Sequence, residues 1–591
     1  MASPAKVQKE LLHWFSLQDG ISKSDQEKIA EDAHRRYQSL PEVIISAIDE
    51  TSSADLHVQV PEQRVYTGRK PVITSSLADT PCASLGADGL LEKLNTILGT
   101  SYTLDSPSLP SRLSQKLCSA LRIPHTSSLS LILRSCISSN YDFGTVYARL
   151  RSRWYNDMTR IEDTWRSHEA RDNEIRRVVQ VNRRITNSFV PPRRLWDLYS
   201  NRVVPWWAVY EWHWSVSHAW MDEKDRVSVW SPINGRGWPV PVPKDVDLNL
   251  LRIELLNLGA EYVWLDVLCL RQAGGTNEDL RAKEWELDVP TIGNVYRMSR
   301  QVVCYFSGLG RPLSSDIDLQ GDRSWFRRAW TLQEMKEDYI IGGKTGDERG
   351  EEYRQIMLQQ LLVLKTVTGT GNKSMLDVLS HMQKRVSTNA VDRIAGMAYL
   401  VSTTQIPAYY EKRTEEDAWT ALVDELHAQL RAEMFFLCPK PGDGNAKWRP
   451  SWRQAMDEAL PSMDNGEDEL REWLPWDNTY KGYCIEKCEV RGLATGGRHL
   501  REGELVVEGV SRSFKIVANH SYAIPEEGSY TLVGSETPNM MFWVVGRCRE
   551  GKFEKVSVFQ VPDAEERVAL ERSGFVKEKV EVDLCARDVV L

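Results

Sequence analysis

Two groups of residues in this chain combine types and spacings that could do chemistry. Ser217 and His218 close one apolar run, Asp266, Cys269 and Gln272 a second, and Ser307 a third. Arg327, Arg328, Trp330, Gln333 and Glu334 then crowd a single later segment. On a helix, Trp330 and Glu334 would share a face, about 6 Å apart at Cβ. A carboxylate beside an aromatic plane suits a reaction that builds positive charge on a sugar. The indole stacks a flat leaving base, and Glu334 stabilises the oxocarbenium-like centre or steers the nucleophile. The same residues also fit plainer roles, Trp330 in a core and Glu334 bridging to Arg327 or Arg328. Asp266 is costly to bury unless hydrogen-bonded, so it is expected at a strand end, accepting from donors near Gln272 or Ser217. Cys269 reads as a small buried hydrophobe or, with His218, as a thiolate–imidazole couple.

Other motifs are weaker. Gly308-Leu309-Gly310 lacks the third glycine of a dinucleotide fingerprint and the Lys-Ser/Thr of a phosphate loop. The basic run 171–184 reads as a solvated helix face. Cys484 and Cys488 have no second Cys/His pair at zinc-ligand spacing, so no metal is called for.

The elements that must position these residues alternate. Residues 208–219 suit a strand. Leu248, Leu251, Leu255 and Leu258 form a helical stripe that Gly259 can terminate. Residues 262–268 and 302–306 are too apolar to have a wet face and predict central parallel strands. Trp285, Val289, Ile292 and Tyr296 predict a helix between them. Ser324 is placed to cap a third helix running to Lys336, and 339–341 closes the series. That order predicts an α/β core with a parallel sheet and flanking helices. In such a sheet ligands bind at the carboxyl ends of the strands, where the polar residues above fall.

Upstream, 1–135 reads as a helical and partly disordered region, its stretch 48–80 without periodicity, and 136–205 as a charged helical segment ending at Pro191-Pro192. Downstream, 346–440 reads as helical. Residues 441–591 carry short β-rich runs between turn residues, the pattern of a small antiparallel sandwich or barrel. The 591 residues fit several domains, with the α/β core at 206–345. A net charge of −9 argues against a nucleic-acid-binding surface. No run reaches the ~18–20 apolar residues of a membrane span. Ten scattered cysteines in so long a chain read as reduced thiols, and with no secretory signal at the start the reading is cytoplasmic.

The blocks Val216-Ser217-His218-Ala219-Trp220 and Val263-Trp264-Leu265-Asp266 through Gln272 resemble the first two blocks of the fungal heterokaryon-incompatibility (HET) domain. Asp288-Val289 through Tyr296 and Trp325-Phe326-Arg327-Arg328-Ala329-Trp330-Thr331-Leu332-Gln333-Glu334 resemble its later blocks, in the same order. His218 stands where the family usually has Tyr, and Met221 where it usually has Gly after the Trp. The resemblance implies fungal self/non-self recognition and regulated cell death, through a core similar to Toll/interleukin-receptor (TIR) domains. Some TIR domains cleave NAD with a Glu four residues after a Trp, the spacing of Trp330 and Glu334. By that analogy Glu334 is catalytic, and Trp330, Ser217, His218, Trp220, Asp266, Gln272, Arg327 and Arg328 line a substrate site. NAD is then substrate, and no cofactor is needed. Homo-oligomerisation through the core, and a protein partner for the C-terminal β domain, are the partners expected. The alternative is a non-catalytic association module that signals incompatibility.

Overall fold

The structure is a computed structural model. It describes residues 35–51, 58–105, 129–155, 158, 161–209, 211–313, 319, 321, 324–336, 339–346, 348–368, 374–401, 405–461, 479–497, 500–526, 528–535, 541–549, 552–574 and 577–584. Most of the loop expected at 48–80 is therefore described, and 52–57 lie outside, as does most of the helix expected at 24–36. The chain divides into two compact units, Met1–Thr368 with Ala408–Tyr410, and Gly369–Pro407 with Glu411–Leu591. No helix of the described residues is long and apolar enough to cross a membrane.

The first unit is built on a six-stranded sheet. Its strands are β1 (Arg194–Asp197), β2 (Arg202–Pro205), β3 (Trp214–His218), β4 (Tyr262–Trp264), β5 (Val302–Tyr305) and β6 (Tyr339–Ile341), in the order β6-β5-β3-β4-β1-β2. The β6, β5, β3 and β4 neighbours run parallel, and β4-β1 and β1-β2 antiparallel. The sheet is thus mixed rather than all-parallel. Its antiparallel strands come from 194–205, a stretch read from sequence as part of a charged helical segment. That segment's longest helix, α1 (Ile161–Val179), ends well before them.

β5 is buried at every position, as a strand covered on both faces must be. The run 262–268 divides: β4 covers only its first three residues, and Asp266 opens a short helix, α2 (Asp266–Cys269). The Asp266 carboxylate accepts the backbone N–H of Val267 (2.7 Å), the local bond that lets an aspartate compete with a strand ladder. The helix expected across Trp285 and Tyr296 is two, α3 (Glu278–Asp288) and α4 (Ile292–Met298).

The helix expected from Ser324 to Lys336 does not form. Two 3₁₀ turns, Trp325–Arg327 and Trp330–Gln333, flank an extended Arg328. Thr331 Oγ1 donates to the carbonyls of Trp325 (2.6 Å) and Arg328 (2.9 Å), the acceptors an α-helix would need for the N–H groups four residues on. Trp325 and Phe326 meanwhile pack on Phe306, with ring centroids 5.3 and 5.4 Å away.

In the second unit, strands β7 (Thr479–Arg491), β8 (Leu500–Val507), β9 (Ser513–Asn519), β10 (Tyr530–Gly534), β11 (Phe542–Arg549) and β12 (Lys552–Gln560) close into an antiparallel ring, because β7 pairs with both β10 and β8. A last strand, β13 (Lys577–Leu584), joins the amino-terminal half of β7. Alternate residues such as Val490, Leu505, Ile516, Leu532, Trp543 and Val545 fill its core.

Candidate active site

Ser217 and His218 are the last two residues of β3, between β4 and β5, so they leave the sheet on opposite faces at its carboxyl end. Ser217 is 1% exposed. Its Oγ accepts the indole N–H of Trp325 (2.8 Å) and donates to the carboxylate of Glu334. Glu334 directly follows the second 3₁₀ turn and is buried. The hydroxyl of Tyr296, from α4, donates to the carbonyl of Val216 (3.0 Å) and also lies within hydrogen-bonding reach of Glu334.

On the other face, Asp266 gathers three donors. Its Oδ1 accepts from Val267 N and pairs with His218 Nε2 (2.9 Å), and its Oδ2 accepts from Trp220 Nε1 (2.9 Å). The His218 and Trp220 rings stack with centroids 5.8 Å apart. Gln272 holds the backbone of this loop, donating to the carbonyls of Asp266 (3.2 Å) and Leu270 (3.0 Å). The expected assignment is thereby exchanged: Ser217 serves Glu334, and the Asp266 carboxylate is served by His218 and Trp220.

The two carboxylates differ in protonation. Burial pushes Glu334 up to about 7; the Ser217 bond resists this, the nearby Asp266 charge adds to it, and His218 and Tyr296 oppose it. Burial also works against Asp266, but the His218 charge and its hydrogen bonds outweigh it and hold the carboxyl below its ordinary value. His218 is buried too, and Asp266 nonetheless raises its pKa. Asp266 is thus held toward its ionised form by its bond to His218, whereas Glu334 titrates near neutral pH with no cation bonded to it. Environments that push two carboxyl groups apart are a mark of acid/base sites.

Residues 213–316 match the family model of the heterokaryon incompatibility protein (HET). No curated protein and no solved structure matches the chain. The HET match spans Ser217, His218, Trp220, Asp266 and Gln272 and stops short of Trp325 and Glu334, which only the fold brings to the HET region.

Other expected site residues lie differently. With no α-helix under it, Trp330 shares no helical face with Glu334; its half-buried ring lies against Tyr409, centroids 6.5 Å apart. Arg327 and Arg328 are half-buried at the end of the first 3₁₀ turn and just beyond it. Cys269 and His218 do not form a couple. The thiol, pushed up to about 12 by burial, faces the carbonyl of Val263, and the imidazole faces Asp266. The basic run 171–184 is only partly a solvated face, because Arg176 is buried against Asp172 and Asp288. Sequence reasoning missed Trp325 and Tyr296. The one signal for Trp325 is chemical: a buried indole N–H needs an acceptor, and Ser217 is a polar residue in an apolar strand.

Proposed function

We propose that this chain acts in heterokaryon incompatibility and that the carboxyl end of its parallel strands cleaves an N-glycosidic bond, with NAD as the substrate class. The observation that supports this is the contrast between the two carboxylates. Asp266 is already bonded to His218, while Glu334 is held by hydroxyl groups alone, so its negative charge is free to meet a positive charge on a ligand. A nicotinamide ribosyl group brings that charge, first on the pyridinium ring and then on the ribose as the C–N bond breaks. The bond's electron pair leaves with nicotinamide, water adds to the ribose carbon, and Glu334 accepts the proton released. The cationic substrate itself favours ionised Glu334, so the carboxylate acts on the transition state most strongly. On this reading the core is TIR-like in its chemistry.

The test is nicotinamide release from NAD by the purified chain, over a range of protein concentrations, compared with Glu334→Gln. Release by wild type and its loss in the variant support the reading; wild-type protein that is inactive at every concentration removes it.

A second reading, a non-catalytic association module, draws on the hairpin Arg226–Trp230/Pro239–Pro243, which exposes Val227, Val229 and Trp230. Self-association that survives Glu334→Gln and is lost on Trp230→Ser would favour it.

A further inference from the structure

Ser217 is placed where a substrate ligand would be expected, yet its hydrogen bonds are taken. A serine hydroxyl has one proton to give and ordinarily rotates to suit its neighbours. The indole N–H of Trp325 can only donate, and it points at Ser217 Oγ from 2.8 Å, so the hydroxyl proton must turn elsewhere. The acceptor that the fold places there is the Glu334 carboxylate. Trp325 is 1% exposed and packs edge-on against the stacked rings of Phe306 and Phe326, so its indole is fixed by packing as well as by this bond.

We propose that Trp325 and Ser217 are positioning residues, a two-step donor relay that orients the Glu334 carboxyl group and favours its ionised form. Ser217 is then no ligand of the substrate. The relay works against an environment that otherwise favours the protonated acid. From β3 and α2 the His218–Asp266 pair faces Glu334, and the Asp266 charge disfavours a second carboxylate while His218 favours it. From α4 comes the Tyr296 hydroxyl, and from β5 the Cys304 thiol, itself buried and pushed well up. Among these the Ser217 hydrogen bond is the strongest influence toward ionisation, second in size only to burial. Removing it should let Glu334 hold its proton to higher pH.

The effect can be read without any catalysis. A carboxyl group whose folded pKa lies above its unfolded value stabilises the fold below the unfolded pKa, and that contribution disappears as pH rises through the folded pKa. Thermal midpoints of wild type and of Ser217→Ala, each measured against its own Glu334→Gln counterpart from pH 4 to pH 9, isolate the titration of Glu334. The wild-type difference should fall from about pH 4.5 and level off near pH 7, and that of Ser217→Ala should level off about one pH unit higher, the size expected for losing a hydrogen bond to a charged group. Trp325→Phe keeps an aromatic ring there but removes the indole N–H along with part of the bicycle, and frees the serine hydroxyl to rotate. It should shift the transition the same way by less, and it stands as the test if Ser217→Ala does not fold. Coincident transitions in wild type and variants would overturn the proposal.

A second arm rests on the N-glycosidase reading. In nicotinamide release, Ser217→Ala should move the acidic limb of the kcat profile upward by a similar amount and leave KM for NAD within about twofold. A raised KM with an unmoved limb would make Ser217 a substrate ligand and overturn the relay. If wild type releases no nicotinamide, that reading fails and the thermal arm still decides the relay.

Discussion

Around helix α1, Asp288 lies between two guanidinium groups: Arg193 takes both its oxygens (2.7 and 3.1 Å), and Arg176, itself paired with Asp172, approaches at 3.3 Å. At the carboxyl end of β3, Glu334 is just as buried but lies between the hydroxyl groups of Ser217 and Tyr296. Burial alone would push both carboxyl groups up. In the first place Arg193 and Arg176 outweigh it, and Asp288 is held below its ordinary value. In the second, hydroxyl groups supply hydrogen bonds without charge, and Glu334 rises to about 7. What separates a locked ion network from a group that titrates under working conditions is the charge of its donors, not their number.

The largest expected effect belongs to the locked network. Asp288→Ala leaves Arg176 and Arg193 buried against no partner at that position and should destabilise the first unit by about 3–5 kcal/mol, read by denaturant titration at pH 7. Nicotinamide release per folded molecule should change less than threefold; a loss matching that of Glu334→Gln would erase the distinction between the two places. Next comes Glu334→Gln, for which the proposed chemistry requires a 10²–10³-fold slower release, about 3–4 kcal/mol of transition-state stabilisation.

The two carboxylates should also give stability profiles of opposite slope. The raised pKa of Glu334 makes the fold lose about 3 kcal/mol as pH climbs from about 4.5 through 7, a loss that Glu334→Gln removes. The lowered pKa of Asp288 gives stability that is present above the unfolded pKa, about 4, and lost as acid takes the pH through the folded value. Denaturant midpoints across pH 3–8 for wild type and the two variants would show both, and a shared sign would contradict the comparison.

Asp266→Asn is expected to be milder, about 1–3 kcal/mol, because the amide oxygen can still accept from Trp220 or Val267. With its charge gone, the contribution of His218, which wild type keeps at low pH and loses as pH rises through the raised pKa, should shrink. The smallest effect is on α1 itself. Arg177 and Glu174 pair at 2.6 Å but are mostly exposed, so Glu174→Ala should leave the unfolding midpoint unchanged two residues away from buried Arg176.

Much of this was legible at the level of elements. The leucine stripe from Leu248 to Leu258 is a helix, and Gly259 ends it at φ 101°. The apolar run at Val302–Tyr305 is a buried strand, and each short β run after residue 480 overlaps a strand of the barrel. Such elements follow from local patterns of two and 3.6 residues, which a sequence displays directly. The segment 324–336 was not legible. Its spacing satisfies a helix, but the bond of Thr331 to the Trp325 carbonyl and the packing of Trp325 on Phe306 decide against one, and neither is local to a single helical turn.

The same division runs through the site. The sequence alone determined which residues end the apolar runs: Ser217, His218 and Asp266 had to lie near strand ends, since a polar side chain inside an apolar strand is tolerated only where a partner can reach it. It also set the charges available. Only the tertiary structure decided the partners. It put Ser217 on Glu334 across 117 residues, gave His218 to Asp266 rather than Cys269, and brought Trp325 rather than Trp330 to the cluster. Hydrogen bonding and charge act over a few ångströms of space with no regard for distance along the chain. Whether Glu334 is an inert carboxylate or an acid poised at neutral pH is therefore fixed only when the fold assembles the groups around it.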